Sequence, residues 1–183
     1  VKAILGNIPS SMVQGQNIFD LLTALSVGYH DSIDFNTLPI PFACVAVDMN
    51  SRKEVVFHSG SVARAVRASM AIPGYFSPAY NNGMCLVDGG MLNNFPVDVA
   101  REMGADIVIG VDLHYQSSNA KPGKVDNILD EVNGMMKIMQ LEKYKRNEKD
   151  VDIIITPEVS KYGILDFSLP TIAALNDSGY VAA

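Results

Sequence analysis

The sequence lacks the features that mark several classes of protein. It has only two cysteines and no CxxC pair, so it shows no sign of a disulfide framework or a cysteine metal site. No run of apolar residues approaches the 18 or more that a transmembrane helix needs. Basic residues cluster only at 143–146 and the net charge is −6, so neither nucleic acid nor an anionic membrane held by charge is predicted as a partner.

Motifs for two common kinds of catalytic site are also missing. The G-x-S-x-G elbow that presents a nucleophilic serine is absent, and its nearest imitation, Ser59-Gly60-Ser61, is interpreted as a turn followed by a helix cap. The three histidines are not at metal-ligand spacing, so each is interpreted as a surface or structural residue, although His114 could line a site beside Asp112. No cofactor is predicted.

What is present indicates one domain with a large core. The chain has 183 residues and is 48% hydrophobic. Apolar runs of strand length alternate with amphipathic stretches, which predicts an α/β fold with a mostly parallel central sheet flanked by helices. The predicted strands include 42–47, 54–58, 84–87, 106–111 and 151–156, and helices are predicted to begin near residues 17, 61, 96, 125 and 170.

The stretch MCLVDGGMLNNFPVDV, residues 84–99, carries the strongest functional signal. A strand ends at Asp88, Gly89 and Gly90 allow a sharp turn, and Asn94 is a candidate cap for a helix that begins at Pro96. This order places the carboxylate at the carboxyl edge of a sheet, where open α/β folds bind ligands. Two residues without a Cβ let another group approach Asp88, which is therefore predicted to be functional.

Two further aspartates, Asp48 and Asp112, also follow apolar strands. Aspartate is a common residue at the end of a strand, so a purely structural role is favoured for both. Two chemical roles remain open for Asp88. It could act as a general base, or it could hold a divalent cation together with the other two carboxylates.

Four segments carry a resemblance to a known family. They are LPIPFACVAVD (38–48), SGSVARAVRASMAIPGYFSPA (59–79), LVDGGMLNNFPVDVAREMGADIVIGVDL (86–113) and DIIITPEVSKYGILDF (152–167). These segments resemble the patatin-like phospholipases, which include lysophospholipases of the neuropathy-target-esterase type. The resemblance implies a three-layer α/β/α fold and hydrolysis of lipid acyl esters by a Ser-Asp dyad. Asp88 then matches the base of the dyad, and Gly89 and Gly90 match the glycines of its motif.

The serine and the Gly-rich oxyanion loop of that family would precede residue 1. We therefore expect residues 1–183 to be the carboxyl-terminal portion of a single patatin-like domain, inactive alone because it lacks nucleophile and oxyanion donors. The expected partners are a lipid ester substrate and either the missing amino-terminal portion or a second copy, which would cover exposed sheet edges. Two alternatives stay open: a non-catalytic lipid-binding or scaffolding derivative, and metal-assisted phosphoryl transfer by Asp48, Asp88 and Asp112.

Overall fold

The computed structural model describes residues 11–29, 32–113, 128–163 and 166–183. These ranges contain both strands and helices, and the predicted α/β class is confirmed. The helices are α1 (Gln16–Leu25), α2 (Val62–Ser69), α3 (Val97–Glu102), α4 (Ile128–Asp150) and α5 (Leu169–Ala182). The strands are β1 (Ser11–Val13), β2 (Ile33–Asp34), β3 (Cys44–Asp48), β4 (Lys53–Phe57), β5 (Ser59–Gly60), β6 (Gly74–Phe76), β7 (Ala79–Asn81), β8 (Met84–Asp88), β9 (Ile109–Val111) and β10 (Ile153–Ile155).

The described residues fall into two compact units. The first contains the residues up to Asn94 and the part of α4 that ends at Tyr144, and the second contains the others from Phe95 onward. The largest sheet belongs to the first unit and has the strand order β4-β3-β8-β7. The hydrophobic core of the first unit lies between this sheet and α2, where Ala46, Ala68 and Leu86 are almost completely buried. Two of these three are alanines, whose small side chains allow the helix to approach the sheet.

All pairs in the four-stranded sheet are antiparallel. For β3–β4 and β7–β8 the short connecting turns require this, because parallel neighbours need a crossover of a dozen or more residues. The connection between β3 and β8 is long, so its length does not set their antiparallel direction. The β7–β8 turn contains Asn82 and Gly83, both with positive φ, as a tight hairpin requires and as the Asn-Gly pair predicts. The expected parallel pairing is found in the two-stranded sheets β1–β6 and β9–β10.

Most local signals for helix ends are confirmed, and two are wrong. Ser61 caps α2 and accepts a hydrogen bond from the backbone N–H of Arg64 at 3.5 Å. The spacing also favours Asn17 as the cap of α1, but that helix begins at Gln16, with Gly15 in the cap position. Asn94 does not cap α3, because the helix begins at Val97 and Pro96 occupies its cap position. Each error displaces the start of a helix by only a few residues.

The second unit is held together around β9 and β10 by polar contacts. The guanidinium of Arg101 donates to the Asp152 carboxylate at 2.6 Å and to the Asp150 carbonyl at 2.8 Å. Asp152 also accepts from the backbone N–H of Val108 at 2.8 Å, and these contacts hold the pKa of its carboxyl below the ordinary value. The side chain of Asn147 donates to the Phe95 carbonyl at 2.7 Å. These bonds connect α3 and α4 to the segments before the two strands.

Several apolar side chains of the described helices remain exposed. The helical spacing of Met135, Met136 and Met139 favours a core stripe, yet Met135 is 62% exposed and Met139 is 50% exposed. None of the helices in the described ranges combines the length and apolar character needed to span a bilayer. Both cysteines are free and half-buried, and burial raises the pKa of Cys44 to about 12. His30, His114 and the predicted loop at 114–124 lie outside the described residues.

Candidate active site

Asp88 lies at the last position of β8, opposite Ala46 of β3. Its backbone N–H donates to the carbonyl of Ala71 at 3.0 Å, which fixes the end of the strand against the segment that follows α2. Its carboxylate Oδ1 accepts the backbone N–H of Gly90 at 2.7 Å and so caps the short 3₁₀ turn that follows. The other oxygen, Oδ2, has no hydrogen-bond partner within the described ranges. One carboxylate oxygen is therefore held in place while the other is available.

Other atoms lie too close to residues 89 and 90 for a Cβ to fit without a shift. This close approach, and not a positive φ, explains the two glycines. A Cβ added to Gly89 would lie 2.6 Å from the carbonyl carbon of Val45, and closer still to its oxygen. A Cβ on Gly90 would lie 2.7 Å from Asn94 Oδ1 and 2.9 Å from Asp88 Oδ1. The first glycine lets the turn pack against β3, and the second leaves room beside the carboxylate. Asn94, although it is not a helix cap, places its amide oxygen next to Gly90.

The surroundings of Asp88 make its carboxylate a stronger base than an exposed aspartate. Burial raises the pKa of its carboxyl above the ordinary value for aspartate, and the hydrogen bond from Gly90 opposes this shift without cancelling it. Desolvation makes a carboxylate a stronger base than it is in water. A raised pKa at a part-buried carboxylate is typical of catalytic acids and bases.

Sequence reasoning missed the contacts that hold the turn after Asp88. Asn93 is 4% exposed, its backbone N–H donates to the Gly89 carbonyl at 2.9 Å, and its side chain donates to Glu54 Oε1 at 3.0 Å. Lys143 of α4 forms an ion pair with the other oxygen of Glu54. The signal in the sequence was weak: two adjacent asparagines, of which the buried one is the first. The turn is thus tied to β4 and through it to α4.

Asp48 serves a structural purpose at the end of β3, the strand that pairs with β8. Because β3 and β8 are antiparallel, Asp48 lies opposite Leu86, and the two aspartates end their strands in opposite directions. The Asp48 carboxylate accepts backbone N–H groups from Asn50 at 3.2 Å, Ser51 at 3.1 Å and Cys85 at 3.0 Å. These bonds, together with one from the Ser51 side chain, lower the pKa of Asp48.

The structure does not support the alternative of a cation held by Asp48, Asp88 and Asp112. In the register of β3 with β8, Asp48 pairs with Leu86 and stands two positions from Asp88. Across the described part of the chain, no three His, Cys, Asp or Glu side chains form a group able to hold a metal ion. Ser59 and Gly60 form the short strand β5 instead of the predicted turn, and Ser61 caps α2 as predicted.

The bonds to Asp48 predict a pH-dependent loss of stability in Asp48→Asn. A lowered carboxyl pKa in the folded state contributes stability above the unfolded value, about 3.9, and this is lost as the pH falls through the folded value. At pH 7 we expect the thermal midpoint of Asp48→Asn to lie below that of the original protein, because an amide NH₂ would face a backbone N–H. Below about pH 4 the two midpoints should converge. Thermal denaturation from pH 3 to pH 8 checks this, and parallel curves would contradict it.

Comparison with known proteins connects this site to a family. Residues 17–101 match the family model of the patatin-like phospholipases. An uncharacterised NTE-family protein of Mycobacterium tuberculosis is 32% identical over 178 residues, which cover 85% of this chain and 30% of that protein. Patatin-like phospholipase domain-containing protein 7 of Mus musculus is 42% identical over 76 residues, which cover 40% of this chain and 6% of that protein.

The α/β fold and the matched region, which includes Asp88 and both motif glycines, assign the chain to a class. It belongs to the patatin-like phospholipases. Within that family its curated relatives are proteins of the NTE type, so the resemblance seen in the sequence is confirmed. The chain spans less than a third of the length of these relatives.

Proposed function

We propose that this chain is part of a serine lipid acyl hydrolase and supplies Asp88 as its general base. The observation that carries the proposal is the state of the Asp88 carboxylate: part-buried, raised in pKa, fixed through Oδ1, and with Oδ2 unpartnered within the described ranges. The name of the matching family, patatin-like phospholipase, supports a lipid ester as the substrate class.

In this mechanism a serine Oγ attacks the acyl carbonyl carbon while its proton passes to Asp88 Oδ2. The C–O bond to the leaving alcohol then breaks, and the proton on Asp88 is transferred to that alcohol. Water then attacks the acyl-enzyme while its proton passes to Asp88. The bond from the acyl carbon to serine Oγ breaks, the carboxylic acid leaves, and Asp88 returns the proton to serine Oγ. No histidine is needed, because Asp88 itself accepts the serine proton.

The serine and the oxyanion donors of this mechanism have no counterpart motif in residues 1–183. We propose that they belong to a portion of the domain outside this sequence, or are supplied by another chain, and that residues 1–183 alone do not hydrolyse esters. Asp88, Gly89, Gly90 and Asn94 would then form the base side of the site. The nucleophile side would have to meet it near the end of β8.

A fluorophosphonate probe tests this assignment. We expect the whole protein that contains this chain to be labelled on one serine, and residues 1–183 expressed alone to remain unlabelled, because phosphonylation needs a nucleophile beside a base and an oxyanion site. Tandem mass spectrometry of the adduct would locate the serine. A whole protein that binds lipid but takes no label would support the non-catalytic alternative and would contradict the proposal.

A further inference from the structure

Arg67 of α2 is a buried charge in a place where packing alone would favour an apolar residue. Its side chain is 7% exposed, and Nη2 donates to the carbonyl oxygens of Gln14 at 3.0 Å and Ser77 at 2.9 Å. Its guanidinium carbon lies 5.7 Å from the centre of the Phe76 ring. A Cβ on Gly15 would lie 2.6 Å from Nη2, so backbone closes one side of the group. The guanidinium is held rigidly before any ligand arrives.

The second amino group of this guanidinium is not satisfied. Nη1 is buried and has no hydrogen-bond acceptor among the described residues. Burial also lowers the pKa of Arg67, although an arginine remains charged at neutral pH. A buried charged donor without an acceptor is unfavourable, and an anionic oxygen is the acceptor that best relieves it.

Arg67 lines a cavity of about 260 Å³ in the first unit. Arg64, which is exposed, lines it as well, and no acidic residue is among the described residues that line it. The volume lies below the range of roughly 300–1,000 Å³ that drug-sized ligands occupy, so the cavity suits a small group. Positive charge is thus concentrated in one place on a chain whose net charge is −6.

The amino-terminal end of α1 contributes to the same cavity through Gly15 and Gln16. Gly15 has no side chain to cap the helix, and the first turn of this ten-residue helix contains no acidic residue. The first-turn amides of a helix have no partner within the helix and carry a partial positive charge. An anion at this end would meet both the amides and the Arg67 guanidinium.

The geometry points to a phosphate-binding cavity between α1 and α2, with Arg67 and Arg64 as ligands and the α1 amino terminus as a further donor. A phosphate group fits because a monoester carries about 1.5 to 2 negative charges, which matches two arginines and a helix end. The group could be the head group of a phospholipid or free phosphate. The site does not depend on Asp88, so it stands or fails separately from the proposed hydrolase function.

Calorimetric titration of the full chain with inorganic phosphate, against sodium chloride of equal ionic strength, tests the site. We expect saturable binding and a thermal midpoint that rises with phosphate concentration, since a ligand that binds the folded state stabilises it. Arg64→Gln should weaken binding about tenfold, the loss expected for one charge-assisted contact. Arg67→Met should abolish binding. Arg146→Gln removes the same charge from an exposed position outside the cavity and should bind as the original protein does.

Vesicles distinguish the two sources of phosphate. The protein is sedimented with phosphatidylcholine vesicles that contain or lack phosphatidic acid. If the ligand is a lipid head group, the protein should bind the vesicles, and Arg64→Gln should reduce this binding while Arg146→Gln does not. Binding of inorganic phosphate without sedimentation indicates a free phosphate. The proposal is overturned if the original protein shows neither, or if Arg64→Gln and Arg146→Gln reduce binding equally. Because Arg64 is exposed, this comparison remains decisive even if Arg67→Met fails to fold.

Discussion

Replacement of Asp88 by asparagine is expected to lower the kcat of ester hydrolysis by the whole protein roughly 10²–10⁴-fold, the range for loss of a general base. The side-chain amide of asparagine cannot accept the serine proton. Serine Oγ would then have to attack the acyl carbon with no base to take its proton. The Oδ1 acceptor for the Gly90 N–H is kept in asparagine, and so the turn should keep its shape. Steady-state turnover of a lysophospholipid and of a short-chain ester would both measure the loss.

Asp48→Asn is the matched control for this experiment. It makes the same chemical change on the same sheet, at the end of the strand that pairs with β8. Turnover per folded molecule should be unchanged in Asp48→Asn, although the protein is less stable. If Asp88→Asn retains turnover, or if both variants lose it equally, Asp88 is not the base.

The raised pKa of Asp88 adds a second readout. A raised pKa means that the folded state binds the Asp88 proton more tightly than the unfolded state does, so this residue contributes less stability as the pH rises from about 4 through the folded value. Asp88→Asn should therefore raise the thermal midpoint at pH 7, and the gain should vanish near pH 4 and below. Asp48→Asn and Asp88→Asn should shift the midpoint in opposite directions at pH 7, because hydrogen bonds lower the pKa of Asp48 and burial raises that of Asp88.

Replacement of Gly89 by alanine is expected to destabilise the first unit by about 3 kcal/mol or more, at the upper end of overpacking effects. The added methyl group would overlap the backbone carbonyl of Val45, in the middle of the core sheet, where no rotamer change can relieve it. A native stability of roughly 5–15 kcal/mol leaves little reserve for such a loss. Urea denaturation followed by circular dichroism would measure the change.

Gly134→Ala provides the comparison. Gly134 lies within α4, and a Cβ there would meet nothing within 4 Å. Alanine in the interior of a helix is favoured over glycine by roughly 0.5–1 kcal/mol, so this variant should be at least as stable as the original protein. Because Gly89 does not have positive φ, backbone strain makes no contribution, and a loss of stability in Gly89→Ala reports the steric contact with Val45. A stable Gly89→Ala would show that the turn can move away from β3.

Features set by neighbouring residues could be predicted from the sequence. Ser61 caps α2, Asn82 and Gly83 form a hairpin turn, and β8 ends at Asp88, each because the local backbone and side chains determine the result. Gly104, which follows α3, has the positive φ typical of a glycine that ends a helix. The local pattern left two roles open for Asp88, general base or metal ligand, and the family resemblance favoured the base.

Features set by distant residues could not be predicted in this way. The pairing of β3 with β8 joins segments about 40 residues apart, and it places Asp48 two positions from Asp88. Arg67 is buried because the carbonyls of Gln14 and Ser77 converge on it, and neither is recognisable as its partner in the sequence. The contacts of Glu54 with Asn93 and with Lys143 likewise join residues that are distant in the sequence.

The antiparallel sheet also has a consequence for the order of folding. The β3–β4 and β7–β8 hairpins are closed by short turns and can form early, whereas joining β3 to β8 must first close a much longer loop. Asp88 belongs to the pairing of β3 with β8, which would form last, and its neighbour Gly89 packs on β3. The base of the proposed dyad should therefore acquire its burial and raised pKa only when the two hairpins join. In a partly folded chain Asp88 would be an exposed aspartate with an ordinary pKa. It would not yet be a strengthened base.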